Sequence, residues 1–343
     1  MRRFVITGLL VAGVLGGFWY AFNDEEINSV SDLWKSLSAG VPQNTEFSGD
    51  TFMGSDVFAN DIDGVVENQA RGRANLIRIA SFNIELSADK QNNTANLVLL
   101  SRVLSHFDVI ALQGLAASNQ TELSRLVELL NQAGNSYSFV LGPKSENSDT
   151  AHQFAFVYNQ QRIILDQNSV YTIDDPDDIF RYDPCVGWFM TRGPKPEQAF
   201  TFSLVNIFVD PFESYRETNM LGQLYRAVRD DGRGEDDVIL LGDLNSADEE
   251  LKYLNRQSRL SWVVSKSPTD TLRERQSDNI IFYAPAAVEY TGRGGVYDFL
   301  KELNLTIEEA LQVSSHMPVW AEFQIQELGS PGRVANFPNA AAR

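Results

Sequence analysis

An aspartate and an asparagine behind an aliphatic run are the residues of this chain best placed to do chemistry. Asp243 and Asn245 follow the strand-forming segment Val238–Leu241 and Gly242, a residue type that lets the backbone turn. Because side chains two residues apart on an extended segment share a face, both should point from the carboxyl end of one strand. Such a carboxylate can orient or deprotonate water, and the amide can hold that water in line. Asp and Asn are equally common where an ordinary strand meets a turn, so the interpretation needs support from elsewhere.

Six further segments of the chain are strand-like and carry polar residues at or near their ends. Asn83 lies near the end of the first segment, Asp278 near the start of the sixth and His316 in the seventh. In this order the segments resemble the endonuclease/exonuclease/phosphatase family, the deoxyribonuclease-like metal-dependent phosphoesterases, from about residue 75 to about residue 326. The seven segments are residues 77–85, 108–114, 153–158, 200–208, 238–245, 277–282 and 313–319.

The resemblance implies an α+β fold, a four-layer α/β/β/α sandwich of two facing mixed sheets flanked by helices. Apolar residues at three-to-four spacing predict helices at 93–106, 121–133, 214–229 and 300–311. In such a fold, strand ends that carry polar residues should meet at one end of the domain. The residues expected to converge there are Asn83, Asp243, Asn245, Asp278 and His316.

The same resemblance gives these residues roles. The candidate catalytic residues are Asp243, Asn245, Asp278 and His316, and the candidate metal ligands are Asn83 and Asp243. The implied cofactor is Mg²⁺, if the protein is active. Asp278 and His316 can form a carboxylate–imidazole pair that keeps the imidazole a phosphate-binding cation. An ordinary polar contact at a strand end is the alternative, and the sequence leaves both open.

Four positions depart from the family pattern where its chemistry lies. Gly114 stands in place of the glutamate that is the family's principal magnesium ligand, and Ser315 in place of an aspartate that supports metal and water. Phe208 replaces a histidine that contacts the phosphate, and Phe154 a tyrosine that donates to it. Mg²⁺ needs oxygen ligands, and phosphodiester cleavage needs charge neutralised on the phosphate oxygens. These departures predict an impaired site.

Two functions from different classes follow. The first is a non-catalytic relative that acts as a binding or scaffold protein towards a phosphoester ligand or a protein partner. The second is an active magnesium-dependent phosphodiesterase or nuclease with a rearranged metal site. Glu85, two residues from Asn83 on the same predicted strand, is the first candidate for a substitute metal ligand. His152 is expected at the surface, and whether Arg181 or Tyr182 occupies the position of a family arginine stays open.

The charge of the chain argues against a nucleic-acid partner. The sequence has 46 acidic against 28 basic residues, a formal charge of −18. A protein that binds the phosphate backbone ordinarily presents a stripe of Lys and Arg, because counterion release supplies most of its affinity. The basic residues here are scattered along the chain, so nucleic acid is not favoured.

The amino terminus predicts a membrane anchor. Residues 1–3 include two arginines, residues 4–22 are nineteen uncharged residues, and three acids follow at 24–26. Nineteen helical residues just span a bilayer, and the charge bias places the domain outside the cytoplasm, periplasmic or extracellular. A cleaved signal peptide is the rival, but the bulky residues at 18–22 offer no small-residue cleavage site. Gly13 and Gly17 have the spacing of a weak helix-dimerisation motif.

The rest of the chain divides around the domain. Residues 23–74 are rich in Asp, Asn, Ser and Gly and predict a stalk or arm, residues 75–326 form the family-like domain, and residues 327–343 predict a disordered tail. A single cysteine, Cys185, excludes an internal disulfide. The domain must therefore be stabilised by its core, for which about 250 residues are ample.

Overall fold

The computed structural model describes residues 74–86, 94–116, 120–132, 134–144, 152–252 and 259–328. The predicted anchor at 4–22, most of the predicted stalk, the tail beyond 328 and the side chain of Glu85 lie outside these residues, and their assignments stay predictions. Among the residues that are described, no helix is long and apolar enough to cross a membrane.

In the part of the chain that the structure describes, thirteen strands form two mixed sheets. In chain order they are β1 (Leu76–Leu86), β2 (Val109–Ala116), β3 (Tyr137–Leu141), β4 (His152–Asn159), β5 (Ile163–Leu165), β6 (Tyr171–Thr172), β7 (Cys185–Thr191), β8 (Thr201–Phe208), β9 (Val238–Asp243), β10 (Leu260–Trp262), β11 (Asp278–Tyr283), β12 (Tyr290–Val296) and β13 (Val319–Gln324).

The first sheet has the order β12-β13-β1-β2-β4-β3, and the second has the order β10-β11-β9-β8-β7-β5 with β6 paired to β7. Each sheet contains one parallel pair, β1 with β2 and β8 with β9, and the strands around each pair run antiparallel. The two sheets therefore repeat one plan. Their parallel pairs bring the carboxyl ends of four strands to one end of the domain.

The described helices are α1 (Thr94–Leu104), α2 (Gln120–Gln132), α3 (Ser214–Arg229), α4 (Phe299–Glu302) and α5 (Ile307–Val313), besides a helical turn at 248–252 and two short 3-10 helices. The first three confirm the predicted helices. The single helix predicted at 300–311 is wrong. Asn304 has φ 53°, which ends α4, and a capping box between Thr306 and Glu309 begins α5.

The segment 313–319 is also not a strand throughout. Val313 ends α5, and β13 begins only at Val319. His316 therefore lies on the connection between them, held by an isolated bridge to Asp270. Binding and catalytic residues are often carried by loops on a rigid scaffold, so the position of His316 on a loop bears on the site.

The main core fills the space between the two sheets. Phe156 of the first sheet packs edge-on against Phe189 of the second, with ring centroids 5.4 Å apart, and Phe200 stacks on Phe323 across the same layer. On the outer face of the second sheet, α3 buries apolar residues such as Leu221 against β8 and β9. On the side of the first sheet, α1 packs with α2, and α2 packs beside β3. The α+β sandwich predicted from the sequence is confirmed.

A candidate active site at the carboxyl ends of the central strands

Asp243 is the last residue of β9 and is almost completely buried. The preceding Gly242 does not turn the chain, as the sequence suggested, because it lies inside the strand. A Cβ atom on Gly242 would come 1.9 Å from the carbonyl oxygen of Ile207, so glycine is needed for the close approach of β8 to β9. Asn83 reaches across from β1 and donates from Nδ2 to Asp243 Oδ2 at 3.0 Å. Asp243 is thus fixed from both sheets.

Asp278 faces Asp243 directly across the antiparallel pair of β9 and β11. Two carboxylates at directly opposed positions repel each other. His316 lies between them, with Nδ1 3.0 Å from Asp278 Oδ2 and Nε2 3.7 Å from Asp243 Oδ2. Thr269 and Ser277 each donate a hydroxyl to Asp278 Oδ2 at 2.8 Å. Asp278 and His316 are therefore in contact, as both alternatives left open by the sequence require.

The environment of Asp243 shifts the pKa of its carboxyl group towards neutral pH. Burial, followed by the charge of Asp278, raises the pKa of Asp243 to about 6. The imidazole of His316, the amide of Asn83 and the backbone N–H of Asn245 oppose the shift by favouring the charged form. A carboxylate in this setting can exchange a proton near pH 6, which suits acid–base work.

Asn245 joins the cluster by a different route from the one predicted. Its φ of 45° places it in the left-handed region, beyond the end of β9, so the strand alternation used to align it with Asp243 does not apply. Its backbone N–H donates to Asp243 Oδ1 at 3.1 Å, and its side-chain amide donates to the carbonyl of Val209 at 2.8 Å. The prediction that its amide points with the carboxylate is therefore wrong.

The position of the family's metal-binding glutamate is occupied by a backbone irregularity. Gly114 has φ 72° and sits where the pairing of β2 with β4 shifts register between Leu112 and Leu115. The preceding Gln113 turns towards the second sheet and donates to Asn206 Oδ1 at 2.6 Å. In the part of the chain that is described, this stretch of β2 therefore offers polar groups already bonded to one another and no carboxylate to face Asp243.

Hydrogen bonds between the two sheets, and one within the first sheet, surround the cluster. Asn206 of β8 donates to the carbonyl of Leu112 at 3.1 Å, in addition to the bond it accepts from Gln113. Ser314, next to the cluster on the loop before β13, donates to the carbonyl of Asn83 at 2.7 Å. These bonds, together with the one from Asn83 to Asp243, form a polar seam that holds the strand ends in register.

An aromatic group occupies the position expected for a phosphate-contacting histidine. Phe208 stacks on Tyr182 with ring centroids 5.0 Å apart, and the ring of His152 lies 5.4 Å from it. His152, expected at the surface, is half-buried. Burial lowers its pKa, and its Nδ1 is a buried atom without a hydrogen-bond partner. Tyr182 is the residue that stacks on Phe208, whereas Arg181 Nε lies 4.0 Å from Asp210 Oδ2. Which of the two occupies the position of the family arginine stays open.

Phe154 does not belong to this group. It is buried in the core between the two sheets, so its replacement of a tyrosine has no direct bearing on a ligand in the cleft. The backbone carbonyl of Ser315 accepts from the N–H of Thr271 at 2.8 Å. Of the four departures seen in the sequence, Gly114, Phe208 and Ser315 are the ones that lie at the strand ends around Asp243.

The cluster could hold a metal ion, but it is a poor fit to magnesium. Asp243, Asp278 and His316 each offer one ligand atom within 4.8 Å of the others. Mg²⁺ prefers an octahedron of oxygens with one or two carboxylates. Here both oxygens of Asp243 accept hydrogen bonds from the protein, and Asp278 Oδ2 is engaged with His316. Asp278 Oδ1 is the one buried oxygen of this described group left without a hydrogen-bond partner.

The fold and this arrangement of strand-end residues define a class of protein, and comparisons with known sequences agree. A profile of the endonuclease/exonuclease/phosphatase family matches residues 80–300. The chain therefore belongs to the endonuclease/exonuclease/phosphatase family.

Two groups of relatives are deoxyribonucleases. Deoxyribonuclease gamma of Rattus norvegicus is 27% identical over 270 residues, covering 73% of this chain and 84% of the relative. Deoxyribonuclease-1-like 1 of Sus scrofa is 28% identical over 265 residues, covering 73% and 82%. Among solved structures, the endonuclease/exonuclease/phosphatase from Bacteroides vulgatus aligns with a TM-score of 0.50 and 12% identity, over 73% of this chain and 99% of that one. That likeness supports the fold.

Proposed function

We propose that this protein binds a phosphoester group in the family cleft and hydrolyses phosphodiesters weakly or not at all. The observation that carries the proposal is the backbone at Gly114. Its positive φ and the bulge around it replace a ligand carboxylate with a turn that a side chain would strain. This conformation supports the proposal, because it leaves neither a carboxylate at this position nor regular strand geometry to position one.

The remaining groups suit binding better than cleavage. Asp278 accepts from the His316 ring and from two hydroxyls, so this carboxylate favours a protonated imidazole. A protonated His316 offers a hydrogen bond and a charge to a phosphate oxygen. Asp243, with a pKa raised by burial, can become neutral as the anion enters. Both changes lower the electrostatic cost of seating a phosphate next to two acids.

Apolar contact is available beyond the end of β8. Phe212, in the turn before α3, is 93% exposed, and Tyr215, in the first turn of α3, is 83% exposed. Exposed aromatic rings stack on flat or apolar ligand groups and are enriched where proteins bind partners. A binding protein that engages phosphate in the cleft can use these rings for the rest of its ligand or for a protein partner.

The test is calorimetry of the full-length protein with bis(p-nitrophenyl) phosphate and inorganic phosphate, with and without Mg²⁺, beside a hydrolysis assay. We expect measurable binding without turnover. His316→Gln should weaken binding about tenfold or more, because it removes a charged hydrogen bond. His106→Gln, the same change at a histidine bonded to Tyr297, is the matched control and should bind normally. Equal binding by both variants would place the ligand elsewhere.

A second candidate is an active magnesium-dependent phosphodiesterase, as the names of the deoxyribonuclease relatives suggest. The observation that favours it is His152, whose ring lies against Phe208 and could supply from β4 the imidazole absent from β8. Glu85 on β1 is the first substitute for the missing carboxylate. Robust magnesium-dependent turnover that Asp243→Ala abolishes, and that falls in His152→Phe and Glu85→Gln, would establish this candidate and overturn the first.

We further propose that residues 4–22 anchor the protein in a membrane with the domain outside the cytoplasm. The support is the order of charges, arginines before the apolar run and acids after it. The net charge does not favour a nucleic-acid ligand. Gly13 and Gly17 could support weak dimerisation through the anchor helix. Protease added to cells with a permeabilised outer envelope should digest the domain. Protection until the cytoplasmic membrane is lysed would reverse the orientation.

A further inference from the structure

A second group of acids lies at the other end of β9. Asp237 immediately precedes the strand that Asp243 ends, so at roughly 3.3 Å per residue the two are about 20 Å apart. Glu289 precedes β12, and Glu327 follows β13. The three residues come from different parts of the chain and from both sheets, since β9 belongs to one sheet and β12 and β13 to the other. We call them the lower acidic cluster.

The lower acidic cluster is compact and buried. Asp237, Glu289 and Glu327 each offer a carboxylate oxygen within 4.8 Å of the others. Asp237 is 4% exposed and Glu289 is fully buried, whereas Glu327 is half-buried and opens the group to solvent. Glu235 extends the group on one side, because it accepts from the backbone N–H of Asp237 at 2.9 Å.

Two of the buried oxygens have no partner. Asp237 Oδ1 and Glu289 Oε2 accept no hydrogen bond, although the other oxygen of Glu289 accepts from the N–H of Leu328 at 2.6 Å. Within the described ranges, no lysine, arginine or histidine forms a salt bridge with Asp237, Glu289 or Glu327. An uncompensated buried carboxylate is strongly unfavourable, so this group needs protons or a cation.

Asp237 and Glu327 also resist ionisation in the absence of a bound cation. Burial raises the pKa of Asp237 to about 10, and the charges of Glu289, Glu235 and Glu327 contribute in the same direction. Burial and the charge of Glu289 raise the pKa of Glu327 to about 8. Each proton added to the group neutralises a single carboxylate. One divalent ion among them would compensate more than one carboxylate at once.

We propose that Asp237, Glu289 and Glu327 bind a calcium-class divalent cation that fastens the two sheets together. The donor set is entirely oxygen and rich in carboxylates, which suits a hard cation. Ca²⁺ accepts six to eight oxygens in irregular geometry, whereas Mg²⁺ demands a near-ideal octahedron. Three acids from three separate segments give an irregular arrangement of ligand oxygens. Water can reach the ion on the side of Glu327, which is half-buried. The role is structural, and it does not depend on the function proposed for the cleft.

Terbium luminescence of the full-length protein tests the site directly, because Tb³⁺ replaces Ca²⁺ and is excited through a nearby tryptophan. Trp188 Nε1 donates to Glu235 Oε2 at 3.0 Å, so this tryptophan lies beside the cluster. We expect luminescence that Ca²⁺ displaces and that Asp237→Asn with Glu289→Gln abolishes. Trp188→Phe should remove the luminescence yet retain calcium binding by calorimetry. Luminescence that survives the double variant and disappears in Asp243→Asn would overturn the proposal.

Thermal unfolding is the second measurement. Calcium at a hundredfold above its dissociation constant should raise the Tm of the wild-type protein by roughly 5 °C over EGTA. The double variant should show no such rise, and Asp243→Asn, the matched change at the other end of β9, should show it fully. The two amide substitutions keep the side-chain shapes, so both variants should fold. A wild-type Tm that is equal in calcium and EGTA would mean that the acids are held by protons, and would overturn the proposal.

Discussion

The two ends of β9 each bury acidic side chains and compensate them in opposite ways. At the carboxyl end, Asp243 and Asp278 face each other, but an imidazole and an amide from the first sheet lie against them. At the amino end, the lower acidic cluster of Asp237, Glu289 and Glu327 has no basic partner among the described residues. One group carries its own counter-charge, and the other must obtain it from solution.

This difference separates function from stability along a single strand. The acids at the carboxyl end have an imidazole and an amide beside them, so the domain can fold there without a bound ligand. The amino end is incomplete, so its stability should follow the ions and pH of its surroundings. The four predictions below test that separation, in order of decreasing effect.

The largest effect should come from restoring two family side chains near the carboxyl end of β9, because they should increase phosphodiesterase activity. Phe208→His with Ser315→Asp returns an imidazole and a carboxylate to the strand ends around Asp243. We expect magnesium-dependent phosphodiesterase activity to rise by at least about 100-fold over the wild-type chain, the usual worth of one positioned group. Adding Gly114→Glu should help little, since φ 72° strains any side chain by roughly 1–2 kcal/mol. Initial rates with bis(p-nitrophenyl) phosphate measure the effect, and a double variant no faster than wild type would refute it.

The amino end should be relieved by removing its charge. In EGTA at pH 8, Asp237→Asn with Glu289→Gln should raise the free energy of unfolding by roughly 3 kcal/mol, because the amides need no proton to be buried. Urea denaturation measures the change. Calcium at a hundredfold above its dissociation constant should close most of this gap, because it stabilises only the wild type, by about 2.7 kcal/mol. If the variant is less stable than wild type in EGTA, the acids stabilise the fold by themselves and the contrast between the two ends fails.

The pH dependence of stability should also divide between the two ends. A carboxyl whose pKa is raised on folding keeps a proton that the unfolded chain releases, so stability falls as pH rises between the two pKa values, by about 1.4 kcal/mol per unit for each such proton. For Asp243 that window runs from the ordinary 3.8 to about 6, and for Asp237 from 3.8 to about 10. Urea midpoints in EGTA should therefore still decline between pH 7 and pH 9. Calcium should flatten the decline, and a flat profile in EGTA would show that Asp237 is already ionised.

The smallest effect should follow from neutralising one acid at the carboxyl end. Asp243→Asn removes a buried charge that faces Asp278, but it also removes the attraction to His316. The two contributions oppose each other, so we expect a gain in the free energy of unfolding of only about 1 kcal/mol at pH 7. Asp278→Asn should instead destabilise, because it breaks the short bond to the His316 ring and two hydroxyl bonds. Opposite signs in urea denaturation would support the counter-charge role of His316, and equal signs would contradict it.

Sequence reasoning predicted the carboxyl end well and missed the amino end, for a physical reason. Asn83 and Asp243 lie near strand ends and His316 lies on the loop before β13, all in recognisable segments, so order along the chain was enough to bring them together. The lower acidic cluster unites positions 237, 289 and 327, which only the sheet topology makes neighbours. Isolated acids in an acidic chain look like solvated turns. The available signal was that acids at 235–237 lead directly into a fully apolar strand.

The errors inside the fold have local causes. β7, a fully buried strand, was not recognised because its apolar run begins beside a proline and contains a glycine. Asn245 was misplaced because strand alternation was extended two residues too far, into a left-handed turn. Gly242 was interpreted as a turn residue, while its missing side chain serves contact between β8 and β9. For Asn245 and Gly242, the backbone conformation decided the role of the residue, and a single sequence does not show that conformation.

The polar seam has a consequence for how motifs in this fold are interpreted. Asn83, Asp243 and His316 each have partners inside the protein, and Gln113 and Asn206 tie one sheet to the other. Each of these residues therefore contributes to holding the strand ends together, whether or not the cleft binds a ligand. A motif search that counts them detects the architecture of the fold, and it does not by itself assign a reaction.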